Sequence, residues 1–145
     1  MFPTLETGRF TTQTGYTLTV EVPEERADAV VDAILTVVPL RWGDYDRVAF
    51  RSLPGRQQFR SLGTGRNAAT GDAVTVPCQR LSCFLPESAD VTAVLEAVYG
   101  AHPYEEPVIL LAPALRSLHV RGRDEDNPNR FWNRPAADWV PPSHR

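Results

Sequence analysis

The amino-acid sequence predicts an α+β domain of ferredoxin-like order, β-α-β-β-α-β, with an antiparallel sheet and both helices on one face. Three observations carry this reading. A strand-proline-glutamate-helix unit occurs twice, at Val22-Pro23-Glu24 and again at Leu85-Pro86-Glu87. Ahead of the first proline apolar residues alternate, and after each proline they recur at helical spacing, so both halves turn from strand to helix at the same landmark. Each half is then closed by a further apolar, strand-like stretch.

The elements follow in chain order. Residues 1–15 are polar and turn-rich, an N-terminal extension. Tyr16, Leu18, Val20 and Val22 alternate with Thr17, Thr19 and Glu21, the pattern of a half-buried strand. Pro23-Glu24-Glu25 opens a helix, because proline is tolerated in the first turn and acidic side chains suit its positive end. Ala27, Val30, Val31, Ile34, Leu35 and Val38 form its apolar face, and Pro39 closes it. A second strand is expected over Arg47–Arg51, after the polar turn Gly43-Asp44.

Residues 52–73 break the pattern. Gly55, Gly63, Gly65 and Gly71 with a lone Phe59 predict a long loop or an extended hairpin. Arg56, Arg60 and Arg66 stand there against Asp72 alone, and guanidinium groups grip phosphates and carboxylates bidentately. Gly63-Thr64-Gly65 lacks both the spacing and the following helix of a phosphate cradle. Arg80–Leu85 is the next strand; its outer face, Phe84 included, is left uncovered by any helix and is expected to be covered by association. A second helix carries Val91, Val94, Leu95 and Val98 and stops at Gly100. Val108-Ile109-Leu110-Leu111 reads as a buried strand.

Between that helix and strand lies His102-Pro103-Tyr104-Glu105-Glu106-Pro107. Each proline pushes the residue before it out of helical space, so the segment runs extended as a helix-to-strand joint. Neighbouring Glu105 and Glu106 then point to opposite faces, so at most one joins His102 or Tyr104 in a single site. Three uses stand side by side: a structural joint in which His102 and Tyr104 hydrogen-bond and the glutamates meet arginines across a subunit boundary, a cleft for a small anion or nucleotide, and a divalent-cation site through His102 and Glu105.

Composition narrows the classes. A chain of 145 residues is one ordinary domain, and a net charge of -3 argues against general affinity for nucleic acid or membrane. All fifteen basic residues are arginine, which excludes Schiff-base, P-loop and general-base lysines. No window reaches the apolar length of a membrane span and the start lacks a signal-peptide pattern, so the cytoplasm is the expected location. Cys78 and Cys83 stand five apart in one strand, facing opposite ways, and are read as free apolar residues in a reducing compartment.

The order strand, Val-Pro-Glu-Glu, helix, glycine-rich loop with Gly55 and Phe59-Arg60, strand, Leu-Pro-Glu, helix and Gly-Ala-His-Pro-Tyr-Glu-Glu-Pro resembles the domain inserted in YqfO-type, or Ngg1p-interacting-factor-like, proteins. The resemblance covers 16–111, and the His-Pro-Tyr-Glu-Glu-Pro core is similar to a segment of CutA-type divalent-ion-tolerance proteins. It implies a PII/CutA-like fold, homotrimers, and ligand clefts between subunits beside a long loop. The family's dinuclear metal centre and its hydrolase label belong to a larger flanking domain. Here the histidines are His102, His119 and His144, with no paired-histidine motif. The resemblance therefore implies an oligomeric, non-catalytic module that binds or senses a small ligand or presents an interaction surface. Its ligand-binding candidates are His102, Tyr104, Glu105, Glu106, Arg56, Arg60 and Arg66. The likeness to CutA-type proteins points to zinc or copper for a site through His102 and Glu105, so the alternative is a divalent-metal protein or metal-assisted hydrolase, with Glu105 or Glu106 as base and His102 as ligand or acid.

Residues 112–145 form a C-terminal extension. Leu115, Leu118 and Val120 suggest one more short strand, then a polar turn through Asp124 and Pro128. Trp132 and Trp139 are expected to bury themselves on the core or on a neighbouring subunit, docking the tail.

Overall fold

The computed structural model describes residues 2–135 and 142–144. They form two compact units: Gln13–Arg116, and a smaller one built from Pro3–Thr12 and the described residues from Ser117 onward. Among the described residues no helix is long and apolar enough to cross a membrane.

Strand β1 spans Phe10–Val22, helix α1 Glu24–Leu35, strand β2 Phe50–Arg51, strand β3 Gly55–Phe59, strand β4 Val74–Pro86, helix α2 Val91–Ala101 and strand β5 Val108–His119. The sheet order is β2-β4-β1-β5, with β3 also on β4. β1 and β4 pair antiparallel from Gly15↔Pro86 to Val22↔Gln79, which sets Leu18, Val20 and Val22 beside Leu81, Cys83 and Leu85 on one face. Ala27, Val30 and Ile34 of α1 and Val94 and Val98 of α2 close over that face, and all of these side chains are buried. Helix α1 starts directly after Pro23, as expected, but Pro86 still belongs to β4 and Glu87 to the turn that follows, so α2 opens at Val91 and not at Pro86-Glu87. Glu24 and Glu25 occupy the first turn of α1, and the Asp90 side chain caps α2 by accepting the Ala93 N–H at 3.0 Å.

Several boundaries differ from the sequence expectation. Residues 1–15 are not all extension, since β1 already begins at Phe10. Helix α1 ends at Leu35, yet Val38 still reaches the core through the following turn. The second strand shrinks from 47–51 to Phe50–Arg51 because Arg47 adopts a positive φ of 58°, outside extended space, where its N–H donates to Pro39 O. The long loop narrows as well. Phe50↔Ser82 and Arg51↔Leu81 are followed by Gly55↔Cys78, so the partner of β4 gains a single extra residue within 52–54, a bulge between β2 and β3. Beyond it β3 and the first part of β4 form a ribbon to Phe59↔Val74. The short strand expected near Leu115 is the continuation of β5, and Pro113 is tolerated there because β5 lies at the sheet edge.

The expectation that Phe84 needs a second chain is corrected by the fold. Phe84 is buried within this chain, with the Arg116 guanidinium 4.2 Å above its ring and Trp42 edge-on at 6.1 Å. Arg116 is held there by Gln13 Oε1, which accepts from Nε and Nη2 at 3.0 and 2.7 Å, and by Arg41 O. Gly15 also lies so close that a Cβ there would meet Leu85 O at 2.2 Å and the Phe84 ring at 2.6 Å.

In the smaller unit Asp124, at φ 65°, accepts from Arg9 at 3.1 Å and from Arg130 at 2.7 Å. Asn127 donates to the same carboxylate, and this hydrogen bond with the two cations holds it below the usual carboxylate range. Trp132 is 65% exposed in this unit, and its indole N–H donates to Glu125 O at 2.8 Å. Trp139 lies outside the described residues.

Candidate functional site

The hexapeptide is extended from its first residue: His102 terminates α2 at φ -75°, ψ 137°. Its buried imidazole makes two bonds that fix its tautomer. Nε2 lies 2.7 Å from Glu21 O, which can only accept, so it carries the proton; Nδ1 accepts the Tyr104 N–H at 3.1 Å. His102 thus ties the joint to the end of β1. Tyr104 packs 5.0 Å from that ring and its hydroxyl lies 3.7 Å from Cys78 Sγ. Burial, followed by the Cys78 contact, pushes the phenol up to about 12. Both cysteines are free, and burial pushes the Cys83 thiol up to about 11.

Glu21, which sequence reasoning placed only on the polar side of a strand, is the organising residue. Its backbone holds His102, while its carboxylate accepts from Gln57 Nε2 of β3 at 3.0 Å and from Arg80 Nε of β4 at 3.1 Å. No local pattern marks such a residue. The alternation Leu18-Thr19-Val20-Glu21-Val22 gives it the same character as Thr19.

An open cleft of about 1040 Å³ lies between the ribbon with its loop and the hexapeptide. Arg56, Arg60 and Arg66 line it together with Glu21, Tyr104, Glu105 and Glu106. The structure therefore gathers all of the predicted ligand residues at one place except His102, whose ring lies beneath Tyr104. Among the described residues none of the three arginines forms an ion pair, whereas Arg51 pairs with Asp28 and Arg80 with Glu21. Arg56 and Arg60 reach only neutral oxygens, Thr75 Oγ1 at 3.4 Å and Gly71 O at 3.5 Å. Glu105 meets the main chain of the loop: its two carboxylate oxygens accept the Arg66 N–H at 3.0 and 3.1 Å. His102 and Glu105, considered above as zinc or copper ligands, thus have their ring nitrogens and carboxylate oxygens engaged by the protein. Among the described residues no three His, Cys, Asp or Glu side chains come together.

Comparison with family models returns no match, and none of the curated proteins matches. Solved structures do. A Bacillus cereus protein related to NIF3 superposes with a TM-score of 0.60 at 26% identity over 71% of this chain. This chain spans only 26% of that protein's length. CutA1 from Oryza sativa gives a TM-score of 0.51 at 18% identity, covering 77% of this chain and 84% of its own. CutA from Synechococcus elongatus gives 0.52 at 16% identity, covering 79% and 85%. The fold is accordingly PII/CutA-like and ferredoxin-like, as the repeated strand-helix unit predicts.

Proposed function

We propose that the chain is a non-catalytic module of the kind inserted in Ngg1p-interacting-factor-like proteins, that it assembles as a homotrimer, and that it binds a small anionic metabolite or nucleotide. The observation that carries the ligand is the cleft lined by Arg56, Arg60 and Arg66, none of which has a carboxylate on its guanidinium among the described residues. Guanidinium groups free of ion pairs beside one concavity supply paired donors that an incoming oxyanion can take without first breaking a salt bridge. The likeness to the Bacillus cereus protein supports the family assignment, and its low share of that protein keeps the reading to a module. The non-catalytic reading is supported by the site's chemistry: both imidazole nitrogens of His102 serve the backbone, and the Tyr104 phenol at about 12 is a poor base near neutrality.

Calorimetric titration of the intact protein with citrate, oxalate, inorganic phosphate, AMP and ATP tests the ligand. Binding of at least one anion, weakened about tenfold or more in the Arg56→Gln/Arg66→Gln double variant, is the expected result. Equal affinity in the two proteins, or no heat with any anion, would sink the proposal.

A further inference from the structure

The contact between Glu105 and the loop has the form of a bound ligand. Ser61 and Thr70 brace the loop from within: Thr70 N donates to Ser61 O, Ser61 N to Thr70 Oγ1, and Ser61 Oγ to Asn67 O. That bracing leaves the Arg66 amide free of the loop's own acceptors, and the Glu105 carboxylate takes it with both oxygens. Gly65 makes the approach possible, since a Cβ there would lie 2.6 Å from Glu105 Oε1. Among the described residues every hydrogen bond from this loop to the hexapeptide runs to Glu105. Glu106, its neighbour, lines the same cleft and makes none.

We infer that the Gly65-Arg66 main chain is a carboxylate receptor which Glu105 occupies in the resting protein, and that a small polycarboxylate enters the cleft by displacing it. This rests on the anion-binding reading above and gives it a class. The receptor's shape is already shown to admit a carboxylate at hydrogen-bonding distance, and the arginines around it can take the ligand's remaining carboxylates. Glu105 is tethered, so it competes at high effective concentration, and the ligand's apparent affinity is reduced by the fraction of molecules in which the receptor is vacant. The loop exchanges one anchor for another. Ligand arrival therefore releases Glu105 and cuts the loop's tie to the helix-to-strand joint.

Citrate affinity of the intact protein and of three variants tests this. Glu105 is exposed, so Glu105→Ala leaves the core untouched. If Glu105 fills the receptor about nine-tenths of the time, Glu105→Ala binds citrate about tenfold more tightly. Glu106→Ala removes the same charge from the cleft without touching the loop, so it gains by charge alone and by less than Glu105→Ala. Gly65→Ala crowds the receptor itself and weakens citrate in spite of freeing Glu105. Hydrogen exchange on the same proteins is expected to show the Arg66 amide losing protection in Glu105→Ala and keeping it in Glu106→Ala. Unchanged or weaker citrate binding in Glu105→Ala, or an equal gain in Glu106→Ala, would overturn displacement. ATP bound by Glu105→Ala with citrate refused would overturn the carboxylate class. If no variant binds any anion, the anion-binding function and displacement fall together, and loss of Arg66 protection in Glu105→Ala alone then shows that the latch is structural.

Discussion

Arg116 shows how one residue can replace a missing layer. The sheet face away from the helices has no helix to cover Phe84, and a planar cation lies over the ring instead, its fork satisfied by Gln13 and Arg41. Arg116→Ala should cost about 3 kcal/mol, because it uncovers the ring and strands two acceptors; urea denaturation measures it. Arg116→Lys should recover less than half, as lysine has no fork. Cys83 gives the pH signature. Its folded value of about 11 exceeds the ordinary thiol value of 9.0, so the unfolded chain loses its proton first. The stability is intact below pH 9 and drains away as pH rises towards 11, about 1 kcal/mol of it by pH 10. Tyr104, pushed up to about 12, bends the curve the same way, so Cys83→Ala is the reference that isolates the thiol. An identical alkaline slope in the two proteins would rule Cys83 out as its source.

At the scale of elements, α1 was legible because proline and glutamate mark its start, and α2 because buried residues recur on one face, although its start lies four residues past Glu87. Strand β1 was legible where burial imposes alternation, and β5 by the apolar run Val108–Leu111, which the structure leaves largely exposed and not buried as expected. β3 reads Gly-Arg-Gln-Gln-Phe and has four of its five residues exposed, so neither face demands apolar side chains and no period of two appears. The early part of β1 and the start of β4 were hidden for the same reason, since Thr11, Thr12, Gln13, Val74 and Thr75 are at most half-buried. The arginine-rich stretch and the hexapeptide stood out by charge and by proline, but their convergence depends on a ribbon the sequence does not announce. Glu21, which ties β1, β3, β4 and the joint together, was invisible because its partners are scattered along the chain. Hydrogen exchange should divide the region expected to be one loop: amides of 55–59 and 74–78 protected by pairing, most of those in 62–69 exchanging fast. Uniform exchange across 52–73 would contradict the ribbon. The joint makes its own claim. His102→Ala removes two hydrogen bonds that neutralise buried backbone groups and should lower stability by about 2 kcal/mol in chemical denaturation.

For the whole molecule, the proposed homotrimer predicts a light-scattering mass near three times 16.1 kDa at micromolar concentration, and a monomer would remove it. The Trp132 indole, 65% exposed in the single chain, is a surface such an assembly could cover. Its fluorescence should then shift to shorter wavelength with concentration. The buried cluster has a further property: it contains no residue between Leu40 and Leu81. The arginines proposed to meet the ligand are written in the stretch that the cluster leaves out, while Glu21, Tyr104 and Glu105 on the other wall of the cleft belong to the body. The ribbon hangs from the sheet by β2 and β4, and its loop can be cut back to an Asn-Gly turn joining Phe59 to Val74, with the melting temperature expected to stay within about 4 °C. Mutations in that arm are thereby spared the usual penalty of misfolding, so descendants of this chain are free to drift towards new ligands while inheriting the same body.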